Sequence, residues 1–363
     1  MLIGDLSLCN NSHYGIFTFR LELTIGDALK KVPDMTVFKK VISDVFSFYS
    51  NSPKMKNELF DIAADRFENV KLREFSKVFE IRWAFSSKVA TDSFLNNLGP
   101  LVSHLEKRVH IMKLKIRKMK KESVTKKKLL KKYSKLKCCL QHITSFPFIA
   151  QLCLLNDCLT ELTFLSLLLQ KETVPTWALW PRVISTKKVI SEYGYISVNE
   201  EGDLYGNNGP LISILFDEIE SQQNVNKSTF IFKSTNICKP TKNQLEEFFD
   251  TRKLFTSTLV EQLSKRFGGP AKHILQLAEI FDPNNWTKPH GVMESYGGYE
   301  IRSLAMFFGF DINQCSLLSS NFRNMKKGLG ISRCLQDLIA KVETLPFTTS
   351  ECERGQFINV HYI

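Results

Sequence analysis

The sequence predicts a mainly α protein, and three observations carry that reading. Apolar residues recur at helical spacing over most of the chain, as in Val37, Val41, Ile42, Val45 and Phe46. Helix-opening signals precede several such runs, notably Ser52-Pro53 and the capping box Thr241-x-x-Gln244. Stretches rich in β-branched and aromatic residues are few and short.

Taken in order, Leu21, Leu23, Ile25, Ala28 and Leu29 start a first helix and Val37 to Phe46 a second. Pro53 opens a third, with Leu59, Phe60, Ala63 and Phe67 on one side. Val78 to Trp83 is the strand candidate of this region, and a helix from about Thr91 to His110 follows it. Phe148 to Leu169 holds 15 apolar residues in 22, enough to span a bilayer. Asp157 and Glu161 sit near its middle, where an acid costs about 2.5–3.5 kcal/mol on insertion scales. The segment therefore reads as the buried core helix of a soluble chain, with no membrane partner. Glycines 202, 206 and 209 and the Ser/Gln/Asn-rich stretch 221–228 predict a flexible connection over 196–240, with a short strand at Phe230-Ile231-Phe232. The helix opened by Thr241 carries Leu245, Phe248, Phe249, Phe255, Leu259, Leu263 and Phe267, and Gly268-Gly269-Pro270 stops it. Asp282-Pro283 makes a further break, and helical patterns follow at roughly 292–308, 313–326 and 331–343.

At 363 residues and 43% hydrophobic content, the chain can bury a sizeable core and is too apolar to be disordered. Its nine cysteines are odd in number and contain no Cys-x-x-Cys pair. A reducing compartment, buried free thiols and the absence of a metal site or cofactor are the economical reading.

The charge of +12 is local. Lys107 to Lys137 contains 15 Lys and Arg and one acid, Glu122, so the segment carries +14 and the rest of the chain −2. Lys113, Lys115, Arg117 and Lys118, followed by Lys126, Lys127 and Lys128, resemble a bipartite nuclear import signal. The same density binds DNA or RNA weakly and without sequence preference, by neutralising phosphates. A solvated lysine-rich connection between two helices has this composition as well.

A hydrophobic run followed by acids, with Ile212, Ile214 and Leu215 ahead of Asp217 and Glu218, has the pattern of a SUMO-interaction strand. Tyr195 to Val198 before Glu200 is a weaker copy. Any buried strand or helix ended by a polar turn gives this pattern too.

Several segments together resemble the hAT-superfamily transposases and their domesticated vertebrate relatives. They are Arg20-Leu-Glu-Leu23, Val78 to Trp83, Leu136 to Lys171, Phe281-Asp282-Pro283 with Trp286, Tyr296 to Arg302, and Leu345 to Arg354. The resemblance implies an RNase H-like α/β remnant over 1–90 and a helical insertion over 91–330. It implies a C-terminal dimerisation element over 331–363. Glu353 falls at the family's catalytic glutamate, and Trp83 at a tryptophan that stacks on DNA. Ser350-x-x-Glu353 is equally a capping box, and Trp83 with Phe79, Ile81 and Phe85 equally a core anchor. The family's first aspartate and zinc finger have no counterpart here, and Ile16 and Phe19 replace its Cys-x-x-His. The expectation is thus a non-catalytic, transposase-derived nuclear protein that homodimerises. The domesticated group includes a SUMO E3 ligase, so SUMO transfer or SUMO binding is the alternative the resemblance implies.

Overall fold

The computed structural model describes residues 21, 23–67, 72, 83–119, 124–169, 175–198, 204–223, 228–268, 270–287 and 297–343. Helices dominate them, as predicted. They fall into two compact units, a larger one of Glu22–Thr163 with Val189–Val260, and a smaller one of Met1–Leu21, Phe164–Lys188 and Glu261–Ile363. These breaks do not coincide with the sequence boundaries at 90 and 330.

The larger unit starts with α1 (23–31), α2 (Pro33–Ser50) and α3 (Pro53–Arg66). Ser52 caps α3 as its sequence indicates, its hydroxyl accepting the Met55 amide at 3.4 Å. α4 (Trp83–Asn96) and α5 (Leu98–Lys118) are separated at Asn97, where the sequence pattern runs on as one helix. α6 (Val124–Ile143) packs along α5, and the two form a helical hairpin. α7 (Phe146–Leu169) is the apolar segment, and its residues up to Thr163 supply the unit's centre. Phe146, Ile149, Leu152, Cys153, Leu155, Leu159 and Leu162 are all buried there. Phe148 meets Phe38 and Phe94 at ring separations of 5.2 and 5.5 Å, and Phe146 meets Phe248 at 5.8 Å. α7 is long and apolar enough to cross a membrane, and most of it is buried inside the protein.

The described residues of 196–240, a segment predicted as a flexible connection with a short strand at 230–232, hold ordered elements, that strand among them. After α8 (Leu179–Tyr193), β1 (Ile196–Val198) pairs antiparallel with β2 (Leu204–Gly206), α9 (Pro210–Ser221) follows, and β3 (Thr229–Phe232) pairs with β4 (Thr235–Cys238). Two long-range polar clamps explain this order. Asp157 of α7 accepts the Leu211 and Ile212 amides at 3.0 and 3.1 Å, satisfying the first turn of α9. Arg252, fully buried on α10 (Lys242–Arg266), donates Nε to the Tyr193 carbonyl, Nη1 to Asn208 Oδ1 at 2.7 Å and Nη2 to the Asn207 carbonyl at 2.8 Å. At Gly209 the glycine answers a close approach. A Cβ on Gly209 would lie 2.4 Å from Asp157 Oδ2. The predicted capping box opens α10 in both directions, at 3.1 and 3.2 Å.

In the smaller unit, α11 (Pro270–Ala278), α12 (Gly298–Phe307), α13 (Ile312–Lys326) and α14 (Arg333–Glu343) enclose a second core. Ile274, Phe281, Ile301, Leu304, Leu318, Phe322, Leu335 and Leu338 fill it. The break predicted at Asp282-Pro283 is real: Asp282 accepts the Asn284 amide at 2.9 Å, and Trp286 donates to the Ile280 carbonyl at 2.7 Å. Three of the final helical patterns of the sequence match α12, α13 and α14 to within a few residues, apart from the start of the first.

Candidate nucleic-acid interface

The basic segment forms the α5–α6 hairpin, and its two halves behave differently. Toward the body, Leu98, Leu101, Val102, His104 and Leu105 of α5 and Leu136 and Ile143 of α6 are buried. Between Leu105 and Leu136 no described residue is buried. The 13 steps from Leu105 to Lys118 at 1.5 Å each make an arm about 20 Å long. A half-buried seam of Ile111, Met112, Ile116, Leu129 and Tyr133 holds its two helices together.

Lys113, Lys115, Arg117, Lys118, Lys127 and Lys128 are exposed along this arm. Lys115, Arg117 and Lys118 occupy the last turn of α5, where positive charge is favourable. Lys126, Lys127 and Lys128 occupy the first turns of α6, where it is unfavourable and the first turn itself holds no acid. Positive charge at a positive helix end raises the local potential and attracts anions. Lys126 is the exception among the candidates, because its ammonium is used internally: Nζ donates to the Met119 carbonyl at 2.9 Å and closes the end of α5.

The root of the arm is pinned by groups the sequence reading missed. Lys135 pairs with Asp44 of α2 at 2.7 Å. His104, with no exposed surface, meets the Tyr49 hydroxyl through Nδ1 at 2.7 Å and Glu58 through Nε2 at 3.2 Å. A carboxylate only accepts, so Nε2 carries the proton and Nδ1 accepts from Tyr49. Arg108 reaches the same Glu58 oxygen at 3.4 Å. Burial lowers the His104 pKa, against the opposing pull of Glu58, so the ring is neutral at pH 7. Burial raises the Glu58 pKa, but the His104 hydrogen bond and Arg108 outweigh it and the net shift is downward. The available signal was His104 itself, an ionisable residue on the apolar face formed with Leu101 and Leu105.

The other sequence candidates fall elsewhere. Trp83 begins α4 and so starts a helix rather than ending a strand; Val78 to Arg82 lie outside the described residues, as does Glu353. The segment read as a SUMO-interaction strand is a helix, which corrects the expected conformation. Pro210 at its first position, the Asp157 cap, and burial of Ile212 and Leu215 three residues apart all favour α9. Ile214 is exposed, Asp217 faces solvent, and Glu218 accepts from the Gln222 side chain at 2.7 Å. Of the weaker copy, Ile196 to Val198 form β1.

The fold and this site define a helical protein bearing a basic two-helix arm. Set against protein-family models, curated proteins and solved structures, the chain matches none of them.

Proposed function

We propose that the chain is a non-catalytic nuclear protein whose basic arm binds the phosphate backbone of nucleic acid, on a helical scaffold derived from an hAT-type transposase. The observation that carries this reading is the arm itself: a segment with no buried described residue between Leu105 and Leu136, carrying exposed cations on both helices. A core-forming hairpin would bury apolar surface along this length. Tyr133, half-buried in the seam, is the arm's one aromatic, so binding rests on charge rather than base stacking. The exposed lysines of α5 and α6 also serve import recognition, and homodimerisation is part of the same proposal.

The test is fluorescence anisotropy on random-sequence duplex DNA and RNA across a salt series. If Lys113, Lys115, Arg117, Lys118, Lys127 and Lys128 each displace a counterion, the log–log salt slope is about −5 for B-DNA. Binding that does not weaken with salt, or that survives reversal of Lys113, Lys115, Lys127 and Lys128 to Glu, sinks the proposal. A reporter fused to residues 105–138 that stays cytoplasmic removes the import role alone.

A further inference from the structure

A cavity of about 250 Å³ lies within the larger unit, bounded by α4, α7, the end of α8, the first turn of α9 and the β3–β4 turn. Asp92, Asn156, Asp157, Glu161, Tyr193 and Lys233 bring the polar groups to it.

Their hydrogen bonds show what is missing. Asn156 is 3% exposed, and its Nδ2 donates to Thr91 Oγ1 at 2.9 Å and Asp92 Oδ1 at 2.8 Å. The carboxylate can only accept, so the amide's orientation is fixed. Its Oδ1 has no donor among the described residues, and the residue lines the cavity. An acceptor with no protein donor can take an N–H group from a ligand. Glu161 likewise uses only Oε1, which accepts from the Tyr193 hydroxyl at 3.1 Å. Asp92 is held by Lys88 at 2.6 Å, and Asp157 by the α9 amides. Against three lining carboxylates stands one lining cation, Lys233, exposed, its ammonium without a hydrogen bond or ion pair among the described residues.

The lining therefore calls for a positively charged hydrogen-bond donor. Among the described residues no three metal-ligating side chains are grouped to hold an ion, so the acceptors surround a space rather than a point. The volume is below the roughly 300–1,000 Å³ of sites for drug-sized ligands, which restricts the occupant to a small head group. We propose that this cavity binds a small organic cation, an alkylammonium or guanidinium, through Glu161 and Asn156 Oδ1 in the negative field of Asp157 and Asp92. Lys233 opposes it: the β3–β4 turn, with φ of 44° at Lys233 and 59° at Ser234, sets a like charge at the entrance. A free amine and a lysine side chain of another protein present the same chemistry.

Isothermal calorimetry on the full chain separates these sources, with butylamine, a capped single-lysine peptide, and the same peptide acetylated on its lysine as probes. We expect saturable one-to-one binding of butylamine, of the lysine peptide, or of both, and none of the acetylated peptide. Butylamine alone assigns a free amine; tighter binding of the peptide assigns a protein side chain. Glu161→Gln keeps the acceptor for Tyr193 but removes the charge, and weakens binding at least tenfold. Lys233→Gln, on an exposed turn that does not threaten the fold, strengthens it severalfold. Absence of saturable binding by either amine overturns the proposal. So does equal binding of the acetylated peptide, or a shift of the same sign in both variants.

Discussion

The Tyr49 hydroxyl and the His104 Nδ1 atom, 55 positions apart in sequence, lie 2.7 Å from each other in the interior. Their bond joins α2 to α5 at the point where the basic arm leaves the body. Tyr49→Phe leaves Nδ1 buried without a donor, and the expected loss is about 1–3 kcal/mol in urea unfolding. The same ring sets a pH dependence. The folded state holds His104 below its ordinary 6.5, so below that value the unfolded chain binds more protons. Stability is full above the ordinary value and falls as pH drops through it. A His104→Gln variant that keeps the wild-type decline between about pH 7 and 5 would show that another group carries it.

Asp157 makes a prediction of opposite sign. Burial pushes its carboxyl up, the Leu211 and Ile212 amides pull it down, and the net value is about 6 against an ordinary 3.8. The folded state therefore takes up this proton first. Its contribution is fully present below 3.8 and is lost as pH rises through about 6. Asp157→Ala uncaps α9 at a cost of about 1–2 kcal/mol. The gap between wild type and variant, followed by denaturant titration, should narrow as pH is raised over this range.

Arg252 holds the chain reversal between β2 and α9 in place. Burial draws its guanidinium down to about 10, so it stays charged at neutral pH. Arg252→Met strands three acceptors, the buried Tyr193 carbonyl, the half-buried one of Asn208 and the exposed one of Asn207, and should cost about 2–4 kcal/mol in chemical denaturation. Arg252→Lys should recover only part of this, because an ammonium lacks the planar fork that reaches all three.

These three residues mark the limit of what the sequence made legible. Ser52 and Thr241 announce their helices because a cap and its partner are three residues apart. The α7 helix and the buried face of α10, from Phe248 to Leu263, follow from apolar spacing alone. The charge of the arm was equally plain, since it is a count over contiguous residues. Its projection was not, because Lys115 in a core hairpin and Lys115 on a free arm are spelled identically. Asp157 with Leu211, or Thr251 with Asp34 across 217 positions, leave no period to detect. That is also why α9 reads as a strand: its stop signals are local, and the Asp157 side chain that caps it comes from α7.

The arm's lysines should be nearly neutral for stability. Replacing Lys113, Lys115, Lys127 and Lys128 by Ala removes exposed side chains with no hydrogen bond among the described residues, so each change should stay within about 0.5 kcal/mol. The salt slope of nucleic-acid binding should shrink by about 0.9 for each lysine that meets a phosphate. Lys126→Ala should behave differently, lowering thermal stability through the Met119 carbonyl it leaves open.

Gly297 and Gly298 are neighbours with opposite requirements. Gly297 caps α12 at φ 88°, and a Cβ there would stand 2.3 Å from Cε1 of Phe322. Phe322 is 1% exposed and packs edge-on against Phe281 and Trp286, so it has little room to retreat. Left-handed backbone costs a side-chain-bearing residue about 1–2 kcal/mol, and overpacking adds about 1–3 kcal/mol. Gly297→Ala should therefore destabilise the protein by about 2–5 kcal/mol. A Cβ on Gly298 meets nothing within 4 Å, and the position is already helical. Gly298→Ala should stabilise by about 0.4–1 kcal/mol, through helix propensity and a less flexible unfolded chain. Denaturant midpoints that move in the same direction for the two variants would show that the left-handed cap and Phe322 do not control this helix start.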